Sequence, residues 1–406
     1  MKIVVQKFGG TSVATRDGRE AAAKRVKEIA AEGYKVVVVV SAMGRKGDPY
    51  ATDTLINMVK DIYPETSPRE LDLLTSCGEI ISTVVMVNTL KNLGLNSIGL
   101  TGGQAGIITD LHFTDAHILK VEPEHVLRHL NRGEVVVVAG FQGLAETGDI
   151  TTLGRGGSDT TAAALGVALK AERVEIFTDV SGVKTADPRL VPEAKTLTHM
   201  TYEEIVQMAY EGAKVVHPRA VEIAMKGNVP LLVKNTFEEK SKGTLITHVS
   251  EITKAWPDMR KGRLITGVTH IENMAKVTVF VEENTPEKDL KMFELLASHG
   301  ISLDMITVTP ERKSFIVKDE VAEQARFLLQ EADLDVEILP SCAKVTVVGT
   351  GMRGIPGVMA NVVQALTRQN IEVLLSVDSH ATISCLIHGD KLAAAVKALH
   401  KQFHLE

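Results

Sequence analysis

Lys35-Val36-Val37-Val38-Val39-Val40-Ser41 is the stretch that decides the fold. Five consecutive valines leave no polar face, so the run reads as a strand buried on both sides, as in a parallel sheet covered by helices. Outward from it, short apolar runs at 2–6, 97–100, 134–139, 173–178 and 231–234 read as further strands. Amphipathic stretches at 19–32, 69–93, 160–169 and 202–210 alternate with them and read as helices. Gly33, Gly94 and Gly133 follow three of these, where a helix C-terminus favours a left-handed residue. The alternation predicts an α/β unit with helices on both faces of a mostly parallel sheet, ending near residue 247.

Beyond it the pattern changes. Residues 240–263 turn polar around Trp256-Pro257-Asp258 and read as a linker. Ala275-Lys276-Val277-Thr278-Val279-Phe280 then recurs as Ala343-Lys344-Val345-Thr346-Val347-Val348. Each copy is followed by a loop, an apolar helix (288–299, 358–369) and a second strand (301–308, 371–377), which predicts two copies of a small βαβ-type module.

A length of 406 residues suits two or three domains, and 44% apolar with 24% charged residues is the profile of a globular α/β protein. The net charge of -6 argues against a general nucleic-acid or anionic-membrane surface, so any anion site must be local. Cys77, Cys342 and Cys385 form no CxxC pair and read as core residues in a reducing compartment. The chain opens directly on a strand, without the pattern of a signal peptide, and no apolar stretch reads as the ~20 residues that span a bilayer. A cytoplasmic protein is expected.

Chemistry concentrates at strand ends. Lys7-Phe8-Gly9-Gly10-Thr11-Ser12 closes the first strand: glycines let the backbone approach a ligand, and the lysine supplies a compact charge for phosphate oxygens. A glycine turn with a chance lysine is the plainer reading of this hexapeptide alone. Gly154-Arg155-Gly156-Gly157-Ser158-Asp159 precedes a small-residue helix and places an arginine beside a helix N-terminus, a stronger anion site than a glycine loop with an ordinary cap. Thr178-Asp179 through Lys184 to Arg189 ends another strand, where α/β folds place ligands. Lys214-Val215 and His217-Pro218-Arg219 add cations, unless they form a solvated face. Glu79, in a mostly apolar helix, needs a partner if buried, and a ligand ammonium would serve. No spacing of His or Cys suggests a protein-caged metal. Gly349-Thr350-Gly351-Met352-Arg353-Gly354 matches G-x-G-x-x-G, but it sits in the second repeat copy with about fifty residues after it, too few for a dinucleotide fold. It reads as a turn or an interface.

Taken in order, 7–12, Ser41-Ala42-Met43-Gly44, 154–161, 177–189 and 212–219 resemble the aspartate kinase members of the amino acid kinase family over nearly the whole chain. The repeat is similar to their tandem ACT domains. Residues 41–54 and Asp378-Ser379-His380 look most like the diaminopimelate-sensitive aspartokinases of Bacillus-type bacteria. The resemblance implies an amino acid kinase fold, a three-layer αβα catalytic domain at 1–247, a linker at 248–265, and ferredoxin-like ACT domains at 266–340 and 341–406. It implies ATP- and Mg²⁺-dependent phosphorylation of the L-aspartate side chain, an allosteric amino acid effector, and a homodimer paired through the ACT domains.

By the same resemblance Lys7 and Asp159 are catalytic, and Ser41, Thr52, Glu79, Arg155, Gly156, Gly157 and Ser158 hold aspartate. Lys7, Phe8, Gly9, Gly10, Thr178, Asp179, Lys184, Arg189, Lys214 and Val215 hold the nucleotide. Many relatives have tyrosine where this chain has Lys184, and lysine- and threonine-sensing relatives carry a Gln-Asn pair absent after Asp304-Met305-Ile306-Thr307-Val308. A kinase of the same fold with another acceptor (glutamate, acetylglutamate, carbamate or UMP) and a non-catalytic amino-acid sensor are the rival expectations.

Overall fold

A computed structural model describes residues 1–213, 215–238, 241–255, 264–280, 285–352 and 354–406, with the side chains of 253–255 left aside. The chain divides into two compact units: Met1–Val183, Thr196–Ala209 and Lys214–Met259 form the first, and Lys184–Lys195, Tyr210–Ala213 and Arg260–Glu406 the second.

The first unit is built on an eight-stranded sheet. From edge to edge its strands are His199–Thr201, Thr244–Thr247, Leu231–Asn235, Arg173–Thr178, Ile3–Phe8, Lys35–Val40, Val135–Ala139 and Ser97–Leu100. Every pairing is parallel except that of Leu231–Asn235 with Thr244–Thr247. The valine run sits near the middle with Val36 through Val40 all buried, as a strand covered on both faces must be. Helices Arg16–Ala31 and Pro68–Asn92 bury Val26, Met86 and Leu90 against it. Ser67 caps the long helix by accepting from the Glu70 amide, and Pro68 occupies its first turn. Gly33, Gly94 and Gly133 have φ of 87°, 81° and 81°, as the C-terminal positions require.

Three differences from expectation have plain causes. A second sheet of four short strands, Ile118–Val121, Ile107–Thr109, Gln142–Ala145 and Ile150–Thr152, was not foreseen because three- and four-residue strands leave no periodicity to read. The polar stretch read as a linker contains the paired strand Thr244–Thr247 and the helix Val249–Ala255; Trp256, Pro257 and Asp258 lie outside the described residues. Pro68–Asn92 is long and apolar enough to cross a membrane, contrary to the reading that no stretch is. It buries ten residues, Asp72 and Glu79 among them, and so behaves as a core helix.

The second unit holds a six-stranded antiparallel sheet: Asp304–Val308, Arg312–Lys318, Gly267–Phe280, Asp335–Val348, Thr382–His388 and Leu375–Asp378. The two fourteen-residue strands carry the repeat and pair along their whole length. Residues 274–280 and 335–339 belong with the first pair of hairpin strands. The opposite halves, 267–271 and 342–348, belong with the second. The second βαββαβ-like module therefore takes its fourth strand from residues that precede the first module, so the modules are nested, an arrangement that the repeat in the sequence left open. Helices Pro286–Ser298 and Asp319–Glu331 cover one half around Leu296, Phe315 and Leu329; Val358–Thr367 and Leu392–Gln402 cover the other around Leu366, Ile387 and Leu399. Cys342 and Cys385 are buried as expected, but Cys77 is exposed on the long helix.

Candidate active site

At the C-terminal ends of the parallel strands lies a cavity of about 560 Å³. Lys7, next to last in its strand, points its ammonium to within 2.7 Å of Asp159 Oδ1, and both side chains are nearly buried. Gly10 follows where a Cβ would come within 2.6 Å of the Ala42 carbonyl oxygen, so only glycine lets the first two strand ends close on each other. Ser41, just past the valine strand, donates from Oγ to Ser158 Oγ at 3.0 Å.

The glycine loop is held by contact. Gly154 and Gly156 are left-handed, with φ of 69° and 72°. A Cβ on Gly156 would lie 2.1 Å from His217 Cγ, and one on Gly157 2.8 Å from Phe141 Cδ2. The helix starts at Gly157, three residues earlier than its composition suggested, with Gly156 as a cap that makes no side-chain bond. Ser158 and Asp159 thus lie in the first turn and face the cavity; neither is the N-cap. Arg155 is exposed at the cavity's edge.

Glu79 is 3% exposed. Its Oε1 accepts from the Ala42 amide at 2.9 Å, and its buried Oε2 has no partner among the described residues. Burial pushes its carboxyl up to about 8, only partly offset by the amide bond. The pocket thus holds a carboxyl group that a ligand cation would ionise and pair with. Asp72, Thr75 and Glu79 all line the cavity, the i, i+3, i+7 spacing of one helix face. Asp72 and Thr75 were missed by sequence reading, although that spacing was available to find them. Thr52 lines it too, as the first residue of the helix Thr52–Lys60.

Other expected site residues lie elsewhere. Phe8 is fully buried and stacks on Phe177 with ring centroids 4.7 Å apart, so only its main chain is free for a ligand. Gly9 caps the short helix Gly10–Val13 and, like Phe8, is not part of the cavity wall. Thr178 Oγ1 donates to Asp179 Oδ1 at 3.2 Å, and Asp179 pairs with Arg45 at 3.0 Å. Lys184 donates to the Ala194 carbonyl at 3.1 Å and Arg189 pairs with Asp187 at 2.6 Å, all within the second unit. Val215 belongs to the first unit, and Lys214 lies outside the described residues. His217 is not the cation its motif suggested: burial lowers its pKa, and its amide donates to Asp159 Oδ2 at 3.4 Å.

A lysine–aspartate pair, a glycine loop opening a helix and a buried carboxylate on one cavity suit the joining of two anions, one of them carrying an ammonium. Residues 2–235 match the family model described as the amino acid kinase family, and residues 337–401 match an ACT domain model. The chain belongs to the amino acid kinase family.

Its full-length relatives are aspartokinases. It is 48% identical to aspartokinase 1 of Bacillus subtilis over 406 residues, covering 100% of both chains. It is 40% identical to the aspartokinase of Geobacillus stearothermophilus, covering 100% of this chain and 98% of that one. Among solved structures, the aspartate kinase of Synechocystis superposes with a TM-score of 0.82 at 28% identity, covering 99% of this chain and 98% of that one. Aspartokinase III of E. coli, in complex with aspartate and ADP, superposes with a TM-score of 0.78 at 27% identity, covering 99% of each chain.

Proposed function

We propose that the cavity is where ATP phosphorylates the side-chain carboxylate of L-aspartate. The observation that carries this is the convergence of Lys7, Asp159, Arg155 and Glu79 on one hollow. The aspartate side chain, with a pKa of about 3.9, is already ionised and needs no general base. Its oxygen attacks the γ-phosphorus, the bond from that phosphorus to the β–γ bridging oxygen breaks, and ADP leaves with 4-phospho-L-aspartate as the other product. Lys7 neutralises the transferring group, and Asp159 holds Lys7 in place. Arg155 takes the α-carboxylate, Glu79 takes the ammonium, and Ser41, Thr52, Ser158 and the amides of Gly156 and Gly157 fix the rest.

Gly9 and Gly10 amides, with the main chain of Phe8, serve the phosphates. Thr178, Asp179 and Val215 of the first unit serve the remainder of the nucleotide, with Lys214 beside Val215 in sequence. Among the described residues no group of three His, Cys, Asp or Glu side chains forms a metal cage. Mg²⁺ would enter with the nucleotide; Asp159 would be the hard oxygen donor able to hold it, and the ion would supply charge screening for the transferring phosphoryl group. We assign 1–247 to catalysis and the nested modules, with 267–271 given to the second, to sensing of a lysine-pathway amino acid. E. coli aspartokinase III, solved in complex with lysine and aspartate, supports that assignment as a parallel. A homodimer paired through these modules, in the cytoplasm, completes the reading.

Trapping acyl phosphate with hydroxylamine tests it. Aspartate with ATP and Mg²⁺ gives the hydroxamate. Product from glutamate, acetylglutamate, carbamate or UMP alone, or from no acceptor, overturns the reading.

A further inference from the structure

Asp72 is a buried carboxylate with no part in the chemistry above. It is 1% exposed, lies on the helix that carries Glu79, and lines the same cavity. Oδ1 accepts from the Thr114 amide at 3.0 Å and the Thr152 hydroxyl at 2.6 Å; Oδ2 accepts from the Thr114 amide at 3.0 Å and the Thr152 amide at 2.8 Å. These bonds use the carboxylate's lone pairs, so it has little capacity left for a ligand. They join three separate elements: the long helix, the loop at 113–116 and the end of the strand Ile150–Thr152.

That junction is under load. Thr114, a β-branched residue, is held at φ 70°, a conformation that persists only where its surroundings over-determine it. The same loop is tied again: the Ala116 amide donates to the Thr152 carbonyl at 2.9 Å, and Arg219 pairs with Asp115 at 3.2 Å while donating to the Leu153 carbonyl at 3.0 Å. Gly154 follows at once, where a Cβ would lie 2.6 Å from Asp115 Oδ1. The glycine loop bearing Arg155 and Ser158 thus springs from the spot that Asp72 fixes.

We propose that Asp72 is a positioning residue for the amino-acid end of the site, anchoring Thr114 and Thr152 so that the loop carrying Arg155 and Ser158 starts from a fixed wall of the cavity. The proposal rests on the aspartate kinase reading, and wild-type hydroxamate formation tests that reading separately. In Asp72→Asn an amide NH₂ faces N–H donors and the charge-assisted bonds are lost. Steady-state kinetics on the full chain are expected to show KM for aspartate raised about tenfold or more, with KM for ATP unchanged and kcat within about threefold. Melting temperature is measured in parallel. Thr152→Val, which removes one of these bonds at nearly constant volume, is expected to raise KM for aspartate about threefold, and Thr152→Ser to restore it. An unchanged KM for aspartate in Thr152→Val overturns the proposal, whether or not Asp72→Asn folds. So does an equal loss on aspartate and ATP, the signature of a general packing defect.

Discussion

Two glycine-rich loops follow strands in this chain, at 154–157 and at 349–357, and the first of them lines the cavity described above. Their backbones are alike: Gly156 has φ 72° and Gly354 has φ 73°. Their surroundings differ. A Cβ at Gly156 would sit 2.1 Å from His217 Cγ, whereas one at Gly354 would meet nothing within 4 Å. The first loop needs glycine for backbone conformation and for space, the second at Gly354 for conformation alone. The described residues of the second loop are mostly exposed, and Met352 alone among 350–357 is buried, in the core of its unit. A matching G-x-G-x-x-G pattern therefore says little until the neighbours of each glycine are known; Arg353 of that pattern lies outside the described residues.

The charges at the first loop give the largest expected effect. Lys7 is paired to Asp159 at 2.7 Å inside the cavity. Lys7→Ala is expected to lower kcat by about 10³ or more while changing KM for aspartate less than about threefold, because the ammonium acts on the transferring phosphoryl group. Lys401→Ala, at an exposed position of the second unit, serves as the control and is expected to leave both unchanged. Equal losses in the two variants remove Lys7 from the mechanism.

Next comes Gly156→Ala. Left-handed backbone costs about 1 kcal/mol for an L-residue, and the clash with His217 adds displacement of a side chain whose amide bonds Asp159. A fall in kcat/KM of about 10² is expected, since small misplacements of a preorganised site are costly. Near-normal kinetics with a lowered melting temperature would show that the loop tolerates movement and that its geometry matters less than its charges.

How much of this was legible beforehand follows the same division between conformation and surroundings. The valine strand announced its burial because burial on both faces needs only apolar side chains. The glycines at 33, 94 and 133 announced helix ends because positive φ is local. Lys7 and the 154–159 loop stood out because glycine beside charge is a local pattern too. Spacing from Glu79 could have put Asp72 on the cavity face, but its anchoring role was hidden: its partners Thr114 and Thr152 are far off in sequence, and an aspartate in the first turns of a helix is ordinary. The nesting of the two modules was equally hidden, because the repeat shows that two strands are alike but not which halves pair with which hairpin.

Glu79 gives a smaller effect with a definite sign. In the ligand-free protein burial raises its carboxyl to about 8 from an ordinary 4.5. Folding therefore takes up a proton between these values. The associated stability is fully present below about pH 4.5 and is lost as pH rises through about 8. Aspartate's ammonium favours the ionised form, so binding releases a proton, and affinity for aspartate is expected to rise by up to tenfold per pH unit toward pH 8. Glu79→Gln should weaken binding and flatten this slope. Calorimetry at pH 7 in buffers of different ionisation heat reads the proton directly, and binding heats independent of buffer would break the argument.

The smallest effect is the sharpest test of the comparison. Gly354→Ala imposes the same left-handed penalty as Gly156→Ala, about 1 kcal/mol, with no atom within 4 Å of the new methyl group. Denaturant unfolding of the full chain should register a loss of that order, and kcat and both KM values should stay as they were. Subtracting one variant from the other then isolates the cost of crowding His217, because the backbone terms cancel. If Gly354→Ala instead lowers kcat about as far as Gly156→Ala does, glycine conformation and not close approach limits both loops, and the distinction drawn from their neighbours is wrong.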